Sequence, residues 1–242
     1  MRLRLPFALL AFLPLAGPVL AQSAPDFTKV FSGAWQSYDA KLASGAGRCS
    51  FTLGTTPRPP ALTASSTGCR SPFDKVGEWT IANGQLALLD AAGQTIILLG
   101  GSPQRISGET PAPDKTPIVI ERAGGDGTAA RLQGAYNISH CYFVGYSQTC
   151  APPAELRSPA LAGATGKIEL EVNSAVYDQP RPDASTLGTV KQNSCIVINA
   201  CVVGSDGAWC RFATPDGKEG WLRKMALRQN RWPIITFTDG CR

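Results

Sequence analysis

GEWTIANGQLALLDAAGQTIILLGG, residues 77–101, decides the fold class. Trp79 and Ile81 alternate with polar neighbours up to Asn83-Gly84, a dipeptide suited to a tight hairpin turn. Residues 86–89, the turn Ala92-Gly93 and residues 95–99 repeat the scheme, so the stretch reads as an up-and-down β run. Residues 49–53, 61–65, 105–108 and 117–121 are further strand candidates. The span from about 31 to 123 therefore holds enough short strands to close a small barrel, which also removes exposed strand edges.

The same grammar returns after Lys167, in IELEV, AVYDQP, LGTVKQ, CIVINACVV, AWCRFAT and EGWLRK. Gly-Ser-Asp-Gly at 204–207 and Pro-Asp-Gly at 215–217 are hairpin signals. A turn at 204–207 sets Val203 opposite Ala208 and Cys201 opposite Cys210, which pairs those cysteines and leaves Cys195 for Cys241. Between the two blocks, residues 124–166 are rich in Gly, Ala, Ser and Pro at both ends, with the aromatic patch LQGAYNISHCYFVGYSQTC in the middle. This segment is predicted to be a linker, with Cys141 and Cys150 close enough to close a small loop. LQGAY echoes FSGAW at 31–35, but five residues do not make a repeat. No window of helical length after residue 21 keeps an apolar face at helical spacing.

Residues 1–21 have the layout of a secretory signal peptide: Arg2 and Arg4, an apolar run over 5–20 interrupted by Pro6, Pro14, Gly17 and Pro18, and Val19-Leu20-Ala21 before the cut. The run is shorter than the ~20 residues that span a bilayer, and no cysteine follows Ala21 to take a lipid. The mature chain, from Gln22, is thus expected to be periplasmic or secreted, with no transmembrane segment. Losing Arg2 and Arg4 lowers the formal charge from +5 to +3, too small a bias to argue for nucleic acid. All eight cysteines follow the cut, an even count that in an oxidising compartment implies a disulfide framework.

Little in the chain suggests catalysis. His140 is the only histidine, which rules out multi-histidine zinc ligation, and neighbouring Cys141 is assigned to a bridge rather than to nucleophilic duty. There is no GxSxG, no HExxH and no phosphate-cradling glycine loop. Asp178, Asp183, Asp206 and Asp216 each lie in a turn context, where the side chain bonds the local backbone. On this reading the chain is not an enzyme and needs no cofactor or metal.

GAWQ at 33–36, Cys49 and Cys69, GEWTI at 77–81, LALLDAAGQTIILLGG at 86–101, RISGE at 105–109 and IVIERA at 118–123 together resemble the small secreted inhibitors of alkaline zinc metalloproteases. Their order also fits the related domain of certain outer-membrane lipoproteins. The resemblance implies a small up-and-down eight-stranded β-barrel over 22–123 with a Cys49–Cys69 disulfide. It also implies an exported inhibitor of a secreted zinc metalloprotease. Its amino-terminal arm, Gln22, Ser23, Ala24, Pro25, Asp26 and Phe27, would enter the protease cleft, with Phe27, Val30 and Phe31 packing between arm and barrel.

AVYDQPRPDASTLGTV at 175–190, DGAWCRF at 206–212 and GKEGWL at 217–222 resemble bacterial SH3-like domains. NSC at 193–195 departs from the glycine many relatives have there, and four cysteines are more than such domains usually carry. This resemblance implies a C-terminal SH3-like β-barrel over 167–242, so the whole is expected to be all-β. It implies contact with peptidoglycan or an envelope protein through exposed Tyr177 and Trp209, with Trp221 in the core. Residues 160–242 are expected to fold alone. The alternative function is a non-inhibitory envelope-binding or structural protein.

Overall fold

The computed structural model describes residues 24–162, 165–214 and 217–241. The expected signal peptide, Gln22, Ser23 and Asp216 lie outside the described residues. Helix α1 (Ala24–Phe31) leads into eight strands, β1 (Gly33–Gln36), β2 (Ser50–Arg58), β3 (Ala61–Thr67), β4 (Val76–Ala82), β5 (Gln85–Asp90), β6 (Thr95–Gly101), β7 (Arg105–Glu109) and β8 (Pro117–Arg122). They form a closed antiparallel barrel in sequence order, shut by β1 against β8 with Trp35 opposite Arg122. At the β4–β5 hairpin Ala82 pairs with Gln85, and Asn83 and Gly84 both take positive φ, 52° and 76°. That is the backbone a two-residue hairpin needs to match strand twist, and Asn-Gly adopts it with least strain. The barrel interior is filled by Trp35, Phe51, Trp79, Leu88, Ile97 and Ile106, with the Cys49–Cys69 bridge among them. Trp79 meets its polar need by donating from Nε1 to the Gly54 carbonyl at 2.8 Å.

The segment expected to be a linker is ordered. Helix α2 (Thr128–Ser139) ends at His140, whose positive φ of 51° and N–H bond to the Tyr136 carbonyl make it a left-handed cap. The Cys141–Cys150 bridge spans β9 (Phe143–Val144), and a 3-10 turn follows at Pro153–Leu156. The buried stripe of α2 is only Thr128, Leu132 and Ala135, while Ile138 is exposed, so the helix lacks the apolar periodicity that would reveal it. GAY lies within α2 whereas GAW is strand β1, so the echo is not a structural repeat.

The second block supplies β10 (Gly166–Leu170), β11 (Ser174–Tyr177), β12 (Thr186–Val190), β13 (Cys195–Gly204), β14 (Gly207–Ala213), β15 (Glu219–Arg223), β16 (Met225–Arg228), β17 (Trp232–Ile235) and β18 (Phe237–Asp239). Seven form one antiparallel sheet in the order β12-β11-β15-β14-β13-β10-β18, and β16-β17-β9 form a small second sheet. Val190 at one end of the large sheet and Phe237 at the other pack into the same cluster, with Ile168, Ile198, Phe212 and Leu222, so the sheet wraps round its own core. The β13–β14 hairpin has Val203 opposite Ala208 and Cys201 opposite Cys210. Cys201–Cys210, Cys195–Cys241 and Cys141–Cys150 are all bridged, and no described cysteine is free.

Candidate functional site

The described part of the expected amino-terminal arm is not extended. Ala24 through Phe31 are helical, and Pro25 and Asp26 sit in the first turn, where proline costs least and an acid suits the helix dipole. Phe27, Phe31 and Trp35 make a ladder of rings with centroids 6.2 Å apart at each step. Trp35 Nε1 donates to the Phe31 carbonyl, and Arg122 on β8 donates to the Val30 and Ser32 carbonyls while lying over the Trp35 ring. Burial lowers the Arg122 pKa. The helix is thus docked on the barrel through Phe31 and Arg122, and entering a protease cleft in extended form would require unwinding it.

Alternate residues of the C-terminal sheet face opposite ways. Cys210, Phe212, Val176 and Leu222 point into the sheet's own core, whereas Trp209, Trp221 and Tyr177 cluster with Val202 and with Val119 of barrel strand β8. The expected contact residue Trp209 is fully buried. Its face is covered by the barrel, and its Nε1 donates to Asp206 Oδ1 at 3.0 Å.

Charge reinforces this junction. Arg105 on β7 donates from Nη2 to Asp206 Oδ1 at 2.7 Å and pairs with Glu121 at 3.0 Å and Asp126 at 3.6 Å. It also donates to the Pro180 carbonyl. Glu121 on β8 in turn accepts from the backbone N–H and hydroxyl of Ser205. Arg211 on β14 bridges Glu109 of β7 and Glu219 of β15. Burial alone would lower the Arg105 pKa, but Asp206 and Glu121 outweigh it and hold the guanidinium above its ordinary value. Asp206 is therefore an inter-strand-block ligand for Arg105 as well as a turn residue; Asp183 pairs locally with Arg181 at 2.9 Å.

Concavities open on the C-terminal sheet. One, of about 900 Å³, is apolar and lies between β12 and β13, lined by Leu187, Val190, Ile196, Val197 and Phe212. Another, of about 400 Å³, mixes polar and apolar walls and brings together Tyr146, Asn173, Tyr177, Arg223, Arg228 and Gln229. Trp209 builds it from behind. Its ring meets Tyr177 edge-on at 5.4 Å between centroids, and it lies opposite Arg223 in the ladder with the guanidinium 5.9 Å from the ring. Tyr177 is half-buried and reaches the groove, so of the two aromatics singled out in the sequence one lines the site and the other supports it. Tyr146, Arg223 and Arg228 are missed by sequence reasoning because they come from three separate elements. Among the described residues, no group of three His, Cys, Asp or Glu side chains is placed to hold a metal.

No protein-family model matches the chain, and no curated protein matches it. Among solved structures it is similar to lysostaphin, the antimicrobial peptidase from Staphylococcus simulans, at 10% identity over 85% of this chain and 94% of that one, with a TM-score of 0.28. It is also similar to Ly7917 at 12% identity over 84% of each chain, TM-score 0.28. Ly7917 with the hydrolyzing product of MDP gives 13% identity over 66% of this chain and 68% of that one, TM-score 0.27. The expectation of a protease inhibitor that is not an enzyme is corrected here: the structures found are a peptidase and a protein bound to a hydrolysis product, not inhibitors, and the described part of the segment assigned to the protease cleft, residues 24–27, is helical. Superpositions at these TM-scores place no reaction and no catalytic residue in this chain.

Proposed function

We propose that the chain acts in the cell envelope, recognising a wall-associated ligand through the groove under Tyr177. The observation that carries this reading is the joint seating of Tyr177 and Arg223 on the buried ring of Trp209, which presents an aromatic edge and a cation, already ordered, to an open groove. Groups held in place before binding lose little entropy on binding. The likeness of residues 175–190, 206–212 and 217–222 to SH3-like wall-binding domains supports the same assignment. Four disulfides fit an oxidising, extracytoplasmic compartment. Among the described residues no helix is long and apolar enough to cross a membrane.

The test is sedimentation of the exported chain with purified peptidoglycan sacculi. The wild-type protein should pellet with them, and Tyr177→Ala, confirmed as folded by its far-UV spectrum, should lower the bound fraction. A folded wild-type chain that stays in the supernatant overturns the reading.

A further inference from the structure

We infer that the group this groove takes is a carboxylate, held by Arg223 with Arg228 beside it; the inference rests on the envelope-binding reading above. The fully buried Arg105 is matched by three carboxylates and the largely buried Arg211 by Glu109 and Glu219. The groove places two half-buried arginines together with no aspartate or glutamate in its lining. Arg228 donates only to the Gly145 carbonyl, at 3.3 Å, and Arg223 is half-buried over Trp209 without an acidic partner among the described residues.

A guanidinium 5.9 Å from the indole centroid is within range of the ring's attraction, and its planar fork of N–H groups matches the two oxygens of a carboxylate. Half-burial beside Trp209 restricts the side chain before binding, which lowers the ordering cost of holding an anion. The hydroxyls of Tyr146 and Tyr177 and the amides of Asn173 and Gln229 add neutral partners around that anion. The chemical class that fits is a short peptide or sugar acid with a free carboxylate, of the sort a wall peptide stem presents.

Binding of the exported chain to native sacculi is compared with binding to sacculi whose carboxylates have been converted to amides. Amidation should weaken binding about 10- to 100-fold, the range of a lost charge-assisted hydrogen bond. Arg223→Gln should weaken binding to native sacculi by a similar factor and be indifferent to amidation, Arg223→Lys should restore part of it, and Lys75→Gln on the barrel, which removes the same charge, should change nothing. If Arg223→Gln does not fold, Arg228→Gln serves in its place. Equal binding of wild type to native and amidated sacculi overturns the carboxylate assignment. So does undiminished binding by a folded Arg223→Gln. In both cases a loss of binding in Tyr177→Ala keeps the groove as the site. Failure of wild type to bind either preparation overturns the assignment together with the reading on which it rests.

Discussion

Asp206, at the tip of the β13–β14 hairpin, and Arg105, on barrel strand β7, meet at 2.7 Å with side chains that are 0% and 1% exposed. A pair this deep is weak evidence of net stabilisation, because both ions have lost their hydration. Breaking it from one side is another matter. Arg105→Met leaves Glu121 and Asp206 buried without their cation, and the loss of one partner of a buried pair costs about 3–5 kcal/mol. Urea unfolding should show the drop in both tryptophan fluorescence and far-UV signal, since the pair joins barrel to sheet. Arg105→Met combined with Asp206→Leu should recover part of it. A single variant as stable as wild type would show that the junction does not depend on this ion pair.

The same cluster makes a pH prediction. Burial pushes the Glu121 carboxyl above its ordinary value, and the opposing pull of Arg105 and Ser205 does not cancel that push. An acid with a raised pKa holds its proton more tightly folded than unfolded. Its contribution is therefore complete below the ordinary glutamate value, about 4.3, and is lost as pH rises through the folded-state value. The stability difference, wild type minus Glu121→Gln, should be greatest near pH 4 and shrink toward neutrality in paired urea titrations. A difference that widens with pH contradicts the assigned direction.

The barrel and the β13–β14 register are legible in the sequence because local chemistry sets them. Asn83-Gly84 admits one kind of hairpin, and the alternation around it leaves one face for the core. The junction is not legible for an equally physical reason. Period-2 alternation says that Trp209 and Trp221 share a face, but not whether solvent, a ligand or another part of the chain covers it. Asp206 reads as a turn residue because it is one, and nothing in SDG announces Arg105 a hundred residues away. Helix α1 has start residues in Pro25 and Asp26 and an apolar pair, Phe27 and Phe31, four apart, but eight residues are too few for periodicity to declare a helix. The arm role comes from resemblance rather than from those residues. Tyr177 was accessible to pattern; Arg223 and Tyr146 needed the tertiary fold.

Gly220, in the Gly-Trp pair of the C-terminal block, is held by space. A Cβ there would lie 2.4 Å from Cγ1 of Val176 and 3.1 Å from Cγ2 of Thr214. Val176 is buried and β-branched, so it has little room to rotate away. Gly220→Ala should destabilise by about 1–3 kcal/mol, the usual cost of overpacking. Thermal unfolding checks this, and Val176→Ala in the same chain should return part of the loss. If the second substitution only adds to the first, close approach to Val176 is not the cause.

Cys195 and Cys241 offer the cleanest measure of what the bridges contribute. Both lie at the exposed margin of the sheet, so alanine in their place opens no core cavity. Cys210, by contrast, is fully buried opposite Cys201, and replacing that pair would mix the lost tether with a packing defect. The Cys195–Cys241 bridge closes a separation of 46 residues and ties the end of β18 to the start of β13 across β10. The chain-entropy estimate for a loop of that length is about 4 kcal/mol, acting through the unfolded chain. Cys195→Ala with Cys241→Ala should therefore lower the unfolding free energy by an amount of that order, with far-UV and near-UV spectra of the folded state unchanged. Since β18 keeps its pairing of Leu170 with Phe237 whether or not the sulfurs are joined, the variant should still fold. A loss well under 1 kcal/mol would mean that the unfolded chain already holds these ends together, and a changed near-UV spectrum would move the bridge's role from the unfolded state to the native sheet.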